Sequence, residues 1–100
     1  MPTYAVTAAF LRLFRKLTKQ QRVEFLAARD LFIAELRAQG FTPPLHPSLR
    51  LHKLSGHNVW SISFGDGMRA VFRVAAEVRP GETHIVWEFV GDHDTYDRMY

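Results

Sequence analysis

The spacing of apolar residues changes once along this 100-residue chain, and that change most restricts the folds available to it. In the first forty residues apolar side chains recur every three or four positions, as in Phe10, Leu13, Phe14 and Leu17. That spacing places them on one face of an α-helix. From about residue 59 apolar and polar residues alternate, as in a half-buried β-strand. The sequence therefore predicts an α+β fold, with helices before a sheet.

The helical part is predicted as a hairpin of two helices over residues 7–39. Thr18 is a suitable N-cap for the second helix, and Gly40 is a natural stop before a proline-containing loop. A short strand is expected at residues 2–6. We expect the aromatic stripe of the hairpin to pack in the core rather than to bind a ligand.

Three strands of an antiparallel meander are predicted after the loop. They are separated by turns at Gly65–Gly67 and at Pro80-Gly81. In the third strand, alternation predicts that Ile85, Trp87 and Phe89 share one face. Gly91 is expected to end this strand, and a polar tail to close the chain. The prediction is a single domain over residues 1–100, with the helices on one face of the sheet and the other face partly open.

Composition narrows the function classes without choosing one. The net charge of +3 permits nucleic-acid binding but does not require it. The chain contains no Cys, which excludes disulfides and thiol chemistry. No signal peptide or apolar run of about 18 residues is present in the sequence, so we expect no membrane partner and a cytoplasmic location.

Two arginines are predicted on the open face of the sheet. In the middle strand Arg69 and Arg73 alternate away from the core-facing residues and lie about 13 Å apart. Guanidinium groups suit bidentate contact with phosphate. The alternative is two solvated arginines, one of them paired with Glu88 on the next strand.

A histidine follows the third strand, where the strand end meets the open face. His93 is a candidate general acid or base, because a histidine side chain can take up or release a proton near neutral pH. Asp92 and Asp94 flank it and are candidates for orienting its imidazole. The alternatives are an exposed tail histidine and two plain surface carboxylates.

A basic run precedes the meander and is a candidate edge of an RNA groove; its members are Arg50, His52, Lys53 and His57. The alternative is a solvated edge without a ligand. The five histidines show no tight ligand spacing, so no metal site is predicted.

Three short motifs, in this order, resemble the RelE/ParE toxin superfamily, and within it the RelE- and HigB-like mRNA interferases. Residues 53–56 read Lys-Leu-Ser-Gly, and residues 59–62 and 67–72 form a strand–turn–strand pattern that contains Arg69. Residues 90–97 contain Gly-x-His-x-x-Tyr-Asp. The match departs from the superfamily at Met68, where an aromatic residue is common, and in its modest basicity.

The resemblance implies a type II toxin that cleaves mRNA on the ribosome without a metal or another cofactor. It implies that Arg69 contacts the scissile phosphate, that His93 is the acid or base, and that Tyr96 is an aromatic residue of the catalytic site. Lys53, Arg73 and Arg50 are the expected RNA-binding residues. The expected partners are a cognate antitoxin, mRNA and the ribosome.

Three other interpretations remain open from the sequence. The ParE branch of the superfamily inhibits DNA gyrase, so gyrase is the alternative partner. A non-catalytic binding module with this fold is the second. An unrelated α+β domain that matches by chance is the third.

Overall fold

A mixed β-sheet with helices on both faces forms the structure, a computed structural model that describes residues 2–54 and 58–100. In chain order the elements are β1 (Thr3–Val6), α1 (Ala8–Lys16), α2 (Lys19–Gln39), a 3₁₀ turn (Pro47–Leu49), β2 (His52–Lys53), β3 (Val59–Phe64), β4 (Met68–Ala75), β5 (His84–Asp92) and α3 (His93–Met99).

The predicted helical hairpin is confirmed, and its ends follow local hydrogen bonding. Thr18 and Gln21 form a capping box: each side chain accepts from the other's backbone N–H, at 3.1 and 2.9 Å. At the far end the Gly40 N–H donates to the Leu36 carbonyl at 2.7 Å, with a positive φ of 68° at the glycine. Only Leu17 and Thr18 separate the two helices, and both helices pack on the same face of the sheet.

The strand order is β1-β5-β4-β3-β2, with β1 parallel to β5 and every other pair antiparallel. The predicted meander is confirmed as β3, β4 and β5, and the predicted first strand lies beside β5. The two-residue strand β2 was not predicted. It pairs with β3 and extends the sheet toward the loop that precedes it.

The predicted polar tail is wrong, because residues 93–99 form helix α3. Strand β5 continues past Gly91 to Asp92, whose side chain accepts a hydrogen bond from the Thr95 N–H at 2.7 Å and caps the helix. Tyr96 then packs into the sheet with 7% of its surface exposed. A cap and one buried anchor thus hold a helix whose other side chains are mostly polar.

A β-bulge on β5 changes which face its residues occupy. Val71 pairs with Phe89 and the next residue, Phe72, pairs with Trp87, so Glu88 is an extra residue on β5. Val90 and Trp87 therefore pack against the helical hairpin, whereas Phe89 packs on the opposite face. The prediction that Phe89 shares a face with Trp87 is wrong, because strict alternation stops at the bulge.

Apolar residues cover the sheet on both sides, unequally. The larger core lies between the hairpin and the sheet and contains contacts such as Phe32 with Phe72, whose ring centroids are 4.8 Å apart. A smaller core of Val71, Phe89 and Tyr96 lies on the opposite face, under α3. We call this second face, which carries Ser61, Ser63, Arg69 and Arg73, the site face. Helix α3 covers it beside β5, so only the part toward β2 is open.

Candidate functional site

Arg69 lies on β4 at the middle of the site face. In register, Ser63 on β3 lies on one side of it and Gly91 on β5 on the other. Its Nη1 donates to Ser63 Oγ at 2.7 Å and its Nη2 to Ser61 Oγ at 2.8 Å. The guanidinium also lies over the Tyr96 ring, 4.8 Å from its centroid. Contacts from β3 and α3 therefore fix the orientation of this cation.

His93 is the first residue of α3 and lies beside the β3–β4 turn. Its backbone N–H donates to the Gly67 carbonyl at 2.8 Å, which ties the helix to the turn. The imidazole stacks on Tyr96, with ring centroids 6.0 Å apart, and its Nε2 is 3.2 Å from Asp97 Oδ2. The side chain is 57% exposed. A titratable group is thus held in place and accessible to a substrate.

The carboxylate that contacts His93 is Asp97, one helical turn away, rather than a flanking residue. Asp92 instead caps α3: hydrogen bonds from the backbone and the hydroxyl of Thr95, with the charge of Arg98, hold the pKa of Asp92 below its ordinary 3.8. The formation of the helix explains the change of partner, because residues four apart face each other on a helix.

Three predicted site residues line one open pocket of about 580 Å³. They are Arg50, Arg69 and His93. Arg50 reaches it from the end of the 3₁₀ turn, in a left-handed conformation with φ 45° and ψ 52°. Ser48, Ser63, Met68 and the turn residues 64–67 complete the lining. Two guanidiniums and an imidazole at one concave surface suit a phosphate group with a proton donor or acceptor beside it.

The two other predicted RNA-binding residues lie elsewhere. Arg73 is on the site face, and its Nη1 is 3.5 Å from Glu88 Oε2. This ion pair is the alternative that the sequence analysis gave for one of the two arginines. Lys53 lies opposite Trp60 in the β2–β3 register, with its Nζ 5.7 Å from the centroid of that ring. Because Trp60 packs against the helix-side core, Lys53 is on the other face of the sheet from Arg69.

The two remaining residues of the basic run are His52 and His57. His52 lies opposite Ser61, so it shares the site face with Arg69. His57, with the Ser55-Gly56 part of the first motif, lies outside the described residues.

Tyr96 supports the site from below. Its ring lies under Arg69 and against His93, and its Oη is 3.5 Å from Ser61 Oγ. With 7% exposure, little of this ring is accessible for stacking on a base. Its position suits it to hold the two functional groups together.

Two serines of the site were missed by sequence reasoning. In the alternation that predicts a half-buried strand, Ser61 and Ser63 count only as polar residues. Their spacing of two was the available signal, because it places both on one face of β3. Their contact with Arg69 depends on the β3–β4 register, which the sequence does not give.

The described part of the chain contains no cluster of metal-ligating side chains and no membrane-spanning helix. Over residues 2–54 and 58–100, no three or more His, Asp or Glu side chains cluster closely enough to hold a metal ion. No helix in these ranges is long and apolar enough to cross a membrane.

Comparison with known proteins gives structural but not sequence matches. No protein-family profile and no curated protein sequence matches the chain. The solved structure of YafQ from E. coli strain BL21(DE3) superposes with a TM-score of 0.63 at 11% identity, over 96% of this chain and 98% of that one. In the E. coli DinJ-YafQ toxin-antitoxin complex the values are 0.64 and 11%, over 94% of each chain.

A third structure extends the likeness to another bacterium. A copper-bound mutant toxin from Helicobacter pylori superposes with a TM-score of 0.67 at 18% identity, over 95% of this chain and 98% of that one. At these identities the likeness concerns the fold, and it spans nearly the whole of every chain. The chain therefore has the fold of the RelE/YafQ-like toxins, as the resemblance of its motifs to the RelE/ParE superfamily predicted.

Proposed function

We propose that this protein is the toxin of a type II toxin–antitoxin system and an endoribonuclease that cleaves mRNA in the cytoplasm, on the ribosome. The observation that carries the proposal is the open pocket in which Arg50, Arg69 and His93 meet. The fold shared with YafQ, which has been solved in a toxin-antitoxin complex, supports it.

The proposed reaction is an internal transesterification of RNA. The ribose 2′-oxygen forms a bond to the adjacent phosphorus as the bond from phosphorus to the 5′-oxygen breaks. The products are a 2′,3′-cyclic phosphate and a free 5′-hydroxyl. The 2′-hydroxyl loses a proton and the leaving 5′-oxygen gains one; His93 carries out one of these transfers and water the other. Arg69 and Arg50 stabilise the additional negative charge on the phosphoryl oxygens.

Two substitutions test the roles of these residues. Arg69→Ala and His93→Gln should each lower the rate of mRNA cleavage by about 10²–10⁴-fold, the usual contribution of a placed acid or base and similar to that of an oriented charge. The measurement is primer extension on translated mRNA, where cuts in phase with codons indicate action on the ribosome. Arg79→Ala, at an exposed turn residue that does not line the pocket, is the matched control.

The same assay separates the alternatives. Cleavage that persists with a chelator selective for transition metals, with the Mg²⁺ that ribosomes need left in place, supports a reaction without a transition metal. Wild-type activity in both variants would contradict the assignment of the site. Absence of RNA cleavage together with inhibition of gyrase supercoiling would replace the proposal with the gyrase alternative, and absence of both activities would favour a binding module.

The antitoxin is proposed to bind an apolar groove beside β1 and the helical hairpin. The groove encloses about 270 Å³, and Phe10, Phe14, Phe25 and Trp87 are among the residues that line it. Its rim exposes several apolar side chains, among them Tyr4, Val6, Leu11 and Leu26. Residues 2–29 contain six basic residues and one acidic residue, so an acidic amphipathic segment is the complementary occupant.

Substitutions at the rim test this binding surface. Leu11→Asp and Leu26→Asp should weaken binding of the protein encoded beside the toxin gene by about tenfold or more, because they bury a carboxylate in an apolar contact. Binding is measured by calorimetry. Val78→Asp, at another exposed apolar residue, is the control. Unchanged affinity in both rim variants would show that the partner binds another surface.

A further inference from the structure

Ser61 is an unusual residue for its position in β3. It is 0% exposed, the single polar side chain that is fully buried among the residues described in 2–54 and 58–100. Burial of a hydroxyl costs free energy unless the group is hydrogen-bonded, and a valine would fit a buried strand better. The contacts of its Oγ are with Arg69 Nη2 at 2.8 Å and Tyr96 Oη at 3.5 Å. The position of the serine is thus explained by Arg69 and Tyr96.

Ser63 supplies the matching contact two residues further along β3. It lies directly across from Arg69 in the strand register and accepts from Nη1 at 2.7 Å. One strand therefore offers one acceptor to each terminal nitrogen of the guanidinium. The Tyr96 ring supports the guanidinium from α3, at 4.8 Å. These contacts from two elements restrict rotation of the end of the side chain.

We infer that Ser61 and Ser63 are positioning residues, which hold the Arg69 guanidinium in the orientation that binds the reacting phosphate; this inference rests on the proposed function. An arginine has five N–H donors, and the serines use two of them. Each terminal nitrogen keeps a second N–H for an anion. A guanidinium that is already oriented loses less conformational entropy when the phosphate arrives, and it meets the charge that develops in the transition state.

Kinetics of serine variants provide the first test. Ser63→Ala and Ser61→Ala should each lower kcat by about tenfold to a hundredfold, with KM changed less than about threefold, because orientation matters most in the transition state. Ser63→Thr keeps the hydroxyl and should restore most of the activity. In an Arg69→Lys background the serine substitutions should have little further effect, since an ammonium cannot bond both hydroxyls in the same way. Full additivity in that background would overturn the inference.

An NMR measurement tests the positioning without any RNA. The Arg69 Nε is buried and has no hydrogen-bond partner within the described residues, so its N–H should exchange slowly with water and give a persistent signal. The Nη–H signals should be separate in the wild type, because the serines hinder rotation, and should average in Ser63→Ala. Signals are assigned with Arg69→Lys. Ser48→Ala, which removes another hydroxyl of the same pocket, is the control and should leave them unchanged.

The two measurements distinguish failure of the inference from failure of the proposed function. If Ser63→Ala loses the separate Nη–H signals and the wild-type protein cleaves no RNA, the results would support positioning and reject the nuclease. Unchanged signals together with unchanged kcat would reject positioning and leave the nuclease intact. Because Ser61 is buried and Ser61→Ala carries a risk of misfolding, the partly exposed Ser63, with its Ala and Thr variants, keeps the test decisive.

Discussion

Gly91 shows how one small residue shapes the site. It lies opposite Arg69 in the β4–β5 register, and a Cβ at this position would be 2.9 Å from Phe89 Cζ. Real Cβ atoms do not approach a ring so closely, so either the ring or the strand would shift. The glycine of the third motif is therefore explained here by the packing of Phe89 next to the site.

Replacement of this glycine should be costly. Gly91→Ala is expected to lower the free energy of unfolding by about 1–3 kcal/mol, the usual cost of overpacking, as measured by urea denaturation. In a Phe89→Leu background the added methyl should cost less, because the clashing ring atom is gone. Equal costs in both backgrounds would show that the Phe89 contact is not the cause.

Sequence reasoning predicted the positions of Arg69 and His93 in the fold better than those of the residues that contact them. Arg69 follows from strand alternation, and His93 follows from its place after β5. Ser61 and Asp97 did not follow, because their roles depend on a strand register and on a helix that local patterns do not specify. The face of Lys53 did not follow either, because it depends on pairing with Trp60 in a strand of two residues.

Among the elements, α3 was the hardest to predict and the hairpin the easiest. The 21 residues of α2 repeat the helical period often enough to be recognised. The seven residues of α3 are too few for a stable isolated helix and are mostly polar. The packing of Tyr96 against the sheet and the Asp92 cap stabilise α3, which local helix propensity alone would not. The formation of this helix therefore depends on contacts within the folded protein.

The cap of α3 predicts a pH dependence of stability. The pKa of Asp92 is lowered in the folded protein, so its carboxylate stabilises the fold above the unfolded-state pKa. This contribution is lost as the pH falls through the folded-state value. Asp92→Asn keeps a capping oxygen without the charge. The difference in unfolding free energy between wild type and this variant should be constant above about pH 5 and should shrink below about pH 4.

Urea denaturation across this range measures that difference, and NMR chemical shifts of Thr95 report the cap directly. A difference that stays the same from neutral pH to about pH 3 would contradict the role assigned to the charged form of Asp92.

The whole molecule is small, so its stability depends on few core residues and on binding. Domains of this kind have unfolding free energies of about 5–15 kcal/mol. A tightly bound partner at 100 times its Kd adds about 2.7 kcal/mol. Under the proposed function, a variant with a weakened core is therefore expected to depend on the bound antitoxin for folding as well as for inhibition.

Phe32 provides a test at this scale, because it is 1% exposed and contacts Phe72 and Trp87. Phe32→Ala should cost about 3–5 kcal/mol, a large part of the total. The free variant should melt at a much lower temperature, and the variant bound to the proposed antitoxin should recover part of the loss. Val78→Ala, at a residue 66% exposed, is the control in the same thermal melts. A Tm of Phe32→Ala close to that of the control would contradict the assigned core.

The extra residue at Glu88 decides which faces the end of β5 presents. Deletion of Glu88 would remove the bulge and leave residues 89–92 on their present faces, because Trp87 and Phe89 would then alternate regularly. A regular strand that kept Glu88 would instead place Phe89 against the hairpin and turn Gly91 away from the face of Arg69. An alignment with distant relatives that lack the bulge therefore needs its gap at Glu88, since a missing gap would assign the wrong face to the strand that leads into His93.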